Sequence, residues 1–190
     1  TARRVGDLIL NNALIIIMVI AVIYIAIVNK NFMKPASIIN ILAQTCAYLP
    51  VALGVGGCIV LTGTDLSGGR VVGLTAAVAG ALLQDRTISR KLFSNLPAIT
   101  PGWILLTVLI VVAIGALIGM VNGFFVAKFS LHPFIVTLGT QLILYTCLLL
   151  YVQMGNNKGM AISNLDPSYT GFVKGSLFSI GGTPIPNYVL

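Results

Sequence analysis

From Gly102 to Phe125 the chain runs for 24 residues without one charged side chain. As a helix, at roughly 1.5 Å per residue, that stretch outreaches the ~30 Å hydrocarbon core of a bilayer. Four more apolar runs accompany it: Leu8 to Val28, Ile38 to Leu61, Val71 to Gln84 and Pro133 to Met154. Of the 190 residues, 57% are hydrophobic and 8% charged. A water-soluble domain carries about a quarter charged residues, so this chain cannot cover a water-facing surface. The expected fold is all-α: a polytopic helical bundle in a membrane. Its helices are expected over about 8–28, 38–61, 66–84, 102–125 and 133–154. Residues 155–190, where Asn, Gly, Ser and Pro rise, read as an extracytoplasmic loop.

The first run, preceded by Arg3 and Arg4, is longer than the roughly 7–15 apolar residues of a cleaved signal peptide. Ala26-Ile27-Val28 is also a poor cleavage site, so a retained span is expected. The second run contains Pro50 and the cluster Gly54, Gly56, Gly57, which predicts a bent or unwound helix. The third run is the anomaly. Fourteen residues reach only about 21 Å, so this helix crosses only if it starts below the membrane surface. That places the preceding residues, "LTGTDLSGGR" at 61–70, at membrane depth.

An acid there is expensive, about 2.5–3.5 kcal/mol on insertion scales. Asp65 is expected to cap the third helix, accepting N–H bonds from residues 67 and 68. Arg70, five residues on, is near enough to pair with it, though not ideally placed. Gly63, Gly68 and Gly69 free the backbone to turn. Irregular backbone at this depth is tolerated only where protein or water surrounds it. A polar path beside residues 62–70 is therefore expected, with a helix N-terminus pointing at it. In the fourth run Gly115, Gly119 and Gly123 recur at i+4, the stripe that lets membrane helices pack closely. Gly73, Ala77 and Ala81 repeat the device in the third.

Other chemistries fit poorly. Gly63 and Gly68 have the glycine spacing of a phosphate-binding loop, but Gly69 and Arg70 stand where Lys and Ser/Thr belong. Ser67 as a protease nucleophile lacks a base, because the one histidine, His132, sits in a short interhelical loop. His132 has no second metal ligand near it, so no metal is expected. Cys46, Cys58 and Cys147 lie inside apolar runs and form no disulfide framework. The net charge of +7 comes from cations at the ends of apolar runs. They read as anchors at lipid head groups, not as a nucleic-acid surface.

"GTDLSGGRVVGLTAAVAGALLQ", residues 63–84, closely resembles permease subunits of bacterial ABC sugar importers. Within that family the galactose/methyl-galactoside branch is the most similar, with the ribose permeases akin to it. "IGMVNGFFVAKFSLHPFIVTLGTQLI", residues 118–143, is a second similar block in the matching order. The resemblance covers roughly residues 36–155 and implies a non-catalytic membrane subunit. It implies a sugar pathway formed with a second permease copy. A cytoplasmic ABC ATPase binds the ATP, so this chain needs no cofactor. An extracytoplasmic sugar-binding protein delivers the solute. The location implied is the bacterial cytoplasmic membrane. Members have further spans and an ATPase-coupling segment, so the chain is expected to be the N-terminal part. A neutral sugar needs hydrogen-bonding groups, so Thr62, Thr64, Ser67, Asn122 and Gln141 are the pathway candidates. Asp65 and Arg70 are expected to hold the turn.

The resemblance also implies a cytoplasmic N-terminus, with Lys128 and His132 inside. Lys30, Lys34, Arg86, Arg90, Lys91, Lys158 and Lys174 then fall outside, against the positive-inside tendency. A re-entrant third run would reverse that count. Two other classes remain open on the residues alone. A secondary transporter also uses broken helices, and would show an inverted repeat. A membrane enzyme would need an acid/base pair, for which only Asp65 qualifies.

Overall fold

The computed structural model describes residues 12–89, 91–93, 95–180 and 183–189. The chain divides into two compact units, one of residues 48–175, the other of residues 1–47 with 176–190.

In the smaller unit, helix α1 spans Ala13–Val28. The expected start at residues 8–11, with Arg3 and Arg4, lies outside the described residues, as does Arg90. The turn after α1 is closed by the Asn29 side chain, which accepts from the Asn31 N–H at 3.0 Å. Helix α2, Pro35–Val60, begins here and continues into the larger unit. At the other end of the sequence, strands β1 (Ser176–Ile180) and β2 (Thr183–Pro186) pair antiparallel. The register shifts between Ser176 and Phe178, a bulge next to the Pro186 pairing. Pro186 lacks an N–H, so the ladder cannot continue regularly there.

The larger unit holds the last part of α2 and helices α3 (Gly68–Leu82), α4 (Pro101–Phe129), α5 (Pro133–Gln153) and α6 (Pro167–Lys174). Three of these open the same way. Thr100, His132 and Asp166 each accept a backbone N–H two or three residues on, and each precedes a proline. The side chain satisfies one orphan donor, and proline at the first helical position removes another.

α2, α4 and α5 are long and apolar enough to cross a membrane; α1 and α3 are shorter. Three expectations need correction. Of the bent or unwound helix expected at Pro50, the unwound form is excluded: α2 is helical through that residue. Proline at an interior position removes one hydrogen bond, and the rest of the ladder holds. α3 starts at Gly68, two residues later than expected, because residues 65–67 form a turn of their own. The tail is not a plain loop: it contains α6 and the two strands. Pro167 behind a capping Asp is the signal for α6.

α4 and α5 are antiparallel neighbours across the short turn 130–132, and α3 packs against both. Gly73 of α3 lies 3.7 Å, measured from where its Cβ would be, from Leu148 of α5. Ala81 is completely buried. The Trp103 indole N–H donates to the Leu82 carbonyl at 3.1 Å, tying the end of α3 to the start of α4. Beyond α3, Gln84 pairs with Leu165 in an antiparallel bridge. Asp85 N–H donates to Asn164 and Asp166 N–H to Leu83. The segments after α3 and before α6 therefore share one end of the unit. Gly63 and Pro133 are neighbours at the other. α3, starting inside the unit, runs away from the Gly63–Pro133 end toward the end where Trp103 meets Leu82. Arg86 and Lys91 follow α3 at the end opposite Lys128 and His132.

The burial pattern is inverted relative to a soluble bundle. Apolar side chains such as Leu109 and Met120 point outward, while Ser67, Thr107, Asn122 and Thr137 are buried. In lipid the outward face needs no polar groups, and polar side chains gain by meeting inside.

Candidate functional site

α2 ends in a tight C-terminal motif. Thr62 N–H donates to Ile59 O and Gly63 N–H to Cys58 O. Thr62 sits at φ 57, the left-handed position usually given to glycine. Residues 64–67 then carry the chain back along the helices without helical structure, and α3 starts at Gly68.

The re-entering strip is held by side chains from two other helices. Thr137 of α5 accepts from the Leu66 N–H at 3.2 Å, and its hydroxyl lies 3.2 Å from Thr64 O. Asp65 Oδ1 accepts twice from Ser67, from the backbone N–H at 2.8 Å and from the hydroxyl at 2.6 Å. Ser67 Oγ in turn accepts from Asn122 Nδ2 of α4 at 3.1 Å. Asn122 Oδ1 accepts from the Thr140 hydroxyl of α5 at 2.5 Å. Thr140, Asn122, Ser67 and Asp65 thus form a chain in which every donor points toward the carboxylate. It links the break to α4 and α5. Charge-assisted bonds at the carboxylate end are the strongest of the series.

Depth follows from the same residues. Asn122 lies about 10 Å along α4 from its end at Phe129, and Thr140 about 10 Å along α5 from its start at Pro133. Ser67, bonded to Asn122, shares that level. The short third helix accordingly begins well inside its neighbours.

Two cavities flank this chain. One, of about 210 Å³, reaches from Asp65, Gly119 and Asn122 toward Gly115 and Val51. The other, of about 290 Å³, reaches from the same three residues toward Val126 and Leu61. Both walls are mostly apolar with a few polar groups, the make-up of a small-molecule site.

The sequence-derived candidates separate on this geometry. Thr64 lines the larger cavity and Asn122 both. Ser67 belongs to the wall of the smaller one, but it is 1% exposed and its hydroxyl is engaged on both sides. Thr62 is exposed, and its hydroxyl donates to Leu61 O. Gln141 stands outside both cavity walls. Among the described residues Asp65 accepts from Ser67 alone, not from residue 68. Arg70 is not its partner: the guanidinium carbon lies 4.5 Å from the centre of the Tyr145 ring, a cation–π contact. Of the glycine stripe, Gly115 is 3.9 Å from Val71, measured from its would-be Cβ. Gly119 and Gly123 meet nothing within 4 Å and line cavities instead. Helical spacing cannot tell a packed glycine face from a vacant one. Thr137 and Thr140 were missed, because a threonine on an apolar helix ordinarily bonds its own preceding turn.

Residues 37–189 match the family described as branched-chain amino acid transport system / permease component. The chain belongs to this permease family. It is a polytopic helical membrane protein, as the family and the apolar helices require. Among similar proteins is the galactose/methyl galactoside import permease protein MglC of Salmonella typhimurium, 40% identical over 162 residues. That match takes in 84% of this chain and 47% of the relative. The protein of that name from Haemophilus influenzae is 35% identical over 175 residues, covering 92% and 50%. The ribose import permease protein RbsC of Haemophilus influenzae is 29% identical over 150 residues, covering 79% and 42%. The chain spans about half the length of the curated relatives it matches. No solved structure matches it.

Proposed function

We propose that this chain is part of the membrane subunit of an ATP-driven importer for galactose or a methyl galactoside. The break at residues 61–67 borders the sugar's path. The sugar is suggested by the relatives' names. The place is suggested by one observation: two cavities meet at a buried hydrogen-bond chain where a helix begins inside the bundle. A neutral polyhydroxy solute needs groups that exchange hydrogen bonds without a large change in charge. Thr64, Asn122 and Thr137 offer such groups in otherwise apolar walls. Thr62 lies farther out, at the mouth of the break.

The partners in this reading are a second permease copy, a cytoplasmic ABC ATPase that holds the ATP, and an extracytoplasmic sugar-binding protein. The site of action is the bacterial cytoplasmic membrane. The end carrying Arg86 and Lys91 faces outward and the Lys128 end inward. Cysteines at 91 and 128, labelled from one side of sealed vesicles, check that orientation.

The decisive experiment reconstitutes the complete permease, ATPase and binding protein in vesicles. Galactose uptake that requires both ATP and the binding protein supports the reading. Uptake driven by an ion gradient, independent of both, contradicts it and favours a secondary transporter.

A further inference from the structure

Asp65, Gly119 and Asn122 are common to the walls of both cavities. The remaining wall residues on α4 lie to either side: Gly115 and Ile118 belong to one cavity, Gly123 and Val126 to the other. The cavities therefore follow one another along a membrane-crossing helix, with the shared residues between them. Gly119 has no neighbour within 4 Å of its would-be Cβ, so nothing fills the space there.

At this partition the two oxygens of Asp65 differ. Oδ1 takes both bonds from Ser67. Oδ2 accepts no hydrogen bond among the described residues, and no ion pair neutralises the carboxylate among them. A carboxyl oxygen left without a donor beside an apolar cavity is costly until one reaches it. Asn122, 8% exposed, is bound to Ser67 and Thr140, and so fixes the turn that aims Asp65.

Resting on the sugar-permease reading, we propose that Asp65 is the residue that recognises the transported solute. Its Oδ2 accepts a hydrogen bond from a sugar hydroxyl as the solute passes between the cavities. Ser67 and Asn122 are positioning residues that hold the carboxylate for this contact. The assignment reverses the sequence expectation, in which Ser67 touched the sugar and Asp65 held the turn. It also defines a solute class. A donor hydroxyl is required, so fluorine, which cannot donate, is a poor replacement at the contacted position.

The test uses the complete transporter in vesicles, with each sugar saturating the binding protein so that its affinity does not enter. Galactose is compared with a series of monofluoro-deoxygalactoses. Wild type is expected to move galactose at least about tenfold faster than the analogue fluorinated at the contacted position, the range of a hydrogen bond to a charged group. Asp65→Asn keeps an acceptor for Ser67 and turns the free end into a donor. It is expected to reach normal abundance and to show a clearly smaller preference, because a donor can still bond the hydroxyl oxygen but cannot take the hydroxyl's proton. Asp65→Asn at normal abundance with an unchanged preference overturns the proposal. The wild-type series decides alone if the variant does not accumulate: equal rates for all the sugars overturn it. Failure of wild type to take up galactose with ATP and binding protein is a separate result, which removes the sugar reading itself.

Discussion

Asn122 Nδ2 donates to Ser67 Oγ at 3.1 Å, joining α4 to the start of α3 across 55 positions of sequence. That bond ties the break at residues 61–67 to an uninterrupted helix. Removing either partner should loosen the same contact. Ser67→Ala and Asn122→Ala are each expected to destabilise the protein in detergent. The double variant should fall short of their sum by about 0.6–1.7 kcal/mol, the range for buried polar pairs in membrane proteins. Strict additivity in thermal unfolding would mean that the two side chains act separately.

Backbone conformation supplies a second contrast. Thr62 holds a left-handed φ of 57 at the end of α2. A β-branched residue there is strained by about 1–2 kcal/mol. Thr62→Gly should therefore raise stability by up to about 1 kcal/mol. Gly155 is at φ 62, and a Cβ there would stand 2.5 Å from the Leu92 carbonyl oxygen. Gly155→Ala should destabilise by about 1–2 kcal/mol or more. Gly119→Ala, in open space, should change little. Denaturation curves of the three variants check the order.

Arg70 packs over Tyr145 rather than against an acid. Tyr145→Phe keeps a ring face and should be nearly silent. Tyr145→Leu should cost about 0.5–2 kcal/mol. An equal loss from both would assign the effect to the hydroxyl and not to the ring.

Outside the membrane segments, Asp85 is held below its ordinary value of 3.8, first by the Thr87 backbone N–H and then by the Thr87 hydroxyl. A depressed carboxylate adds stability above its unfolded value and loses it as pH falls through the folded one. Hydrogen-exchange protection of the Thr87 amide should therefore be present at neutral pH and fade below about pH 4. In Asp85→Ala it should be low at every pH. Protection that persists in the variant would show that another acceptor serves that amide.

Much of this architecture was legible in the residues. Apolar run length gave the long helices, because lipid imposes one length on all of them. The shortness of the run after Arg70 gave a helix that starts at depth. Side-chain partnership was not legible. Asp65 and Arg70 are close in sequence, yet one turns to Ser67 and the other to Tyr145, 75 positions on, brought near by the packing of α3 on α5. Gly115, Gly119 and Gly123 share a helix face, but only the break at 61–67 decides which of them meets a neighbour. Thr137 and Thr140 carry no local signal, since their role depends on a segment some 70 residues earlier.

The central claim is that a water-accessible route passes between α2, α3 and α4 at the level of Asn122. Single cysteines at Gly119 and Met120 test it most directly, in the complete permease with Cys46, Cys58 and Cys147 replaced. The two positions are adjacent in sequence and equal in depth, but Gly119 lines both cavities while Met120 points outward. A small hydrophilic thiol reagent should modify the cysteine at 119 in at least one state of the transport cycle and leave the one at 120 unreacted. A cysteine at 119 as inert as its neighbour in every state would contradict the account.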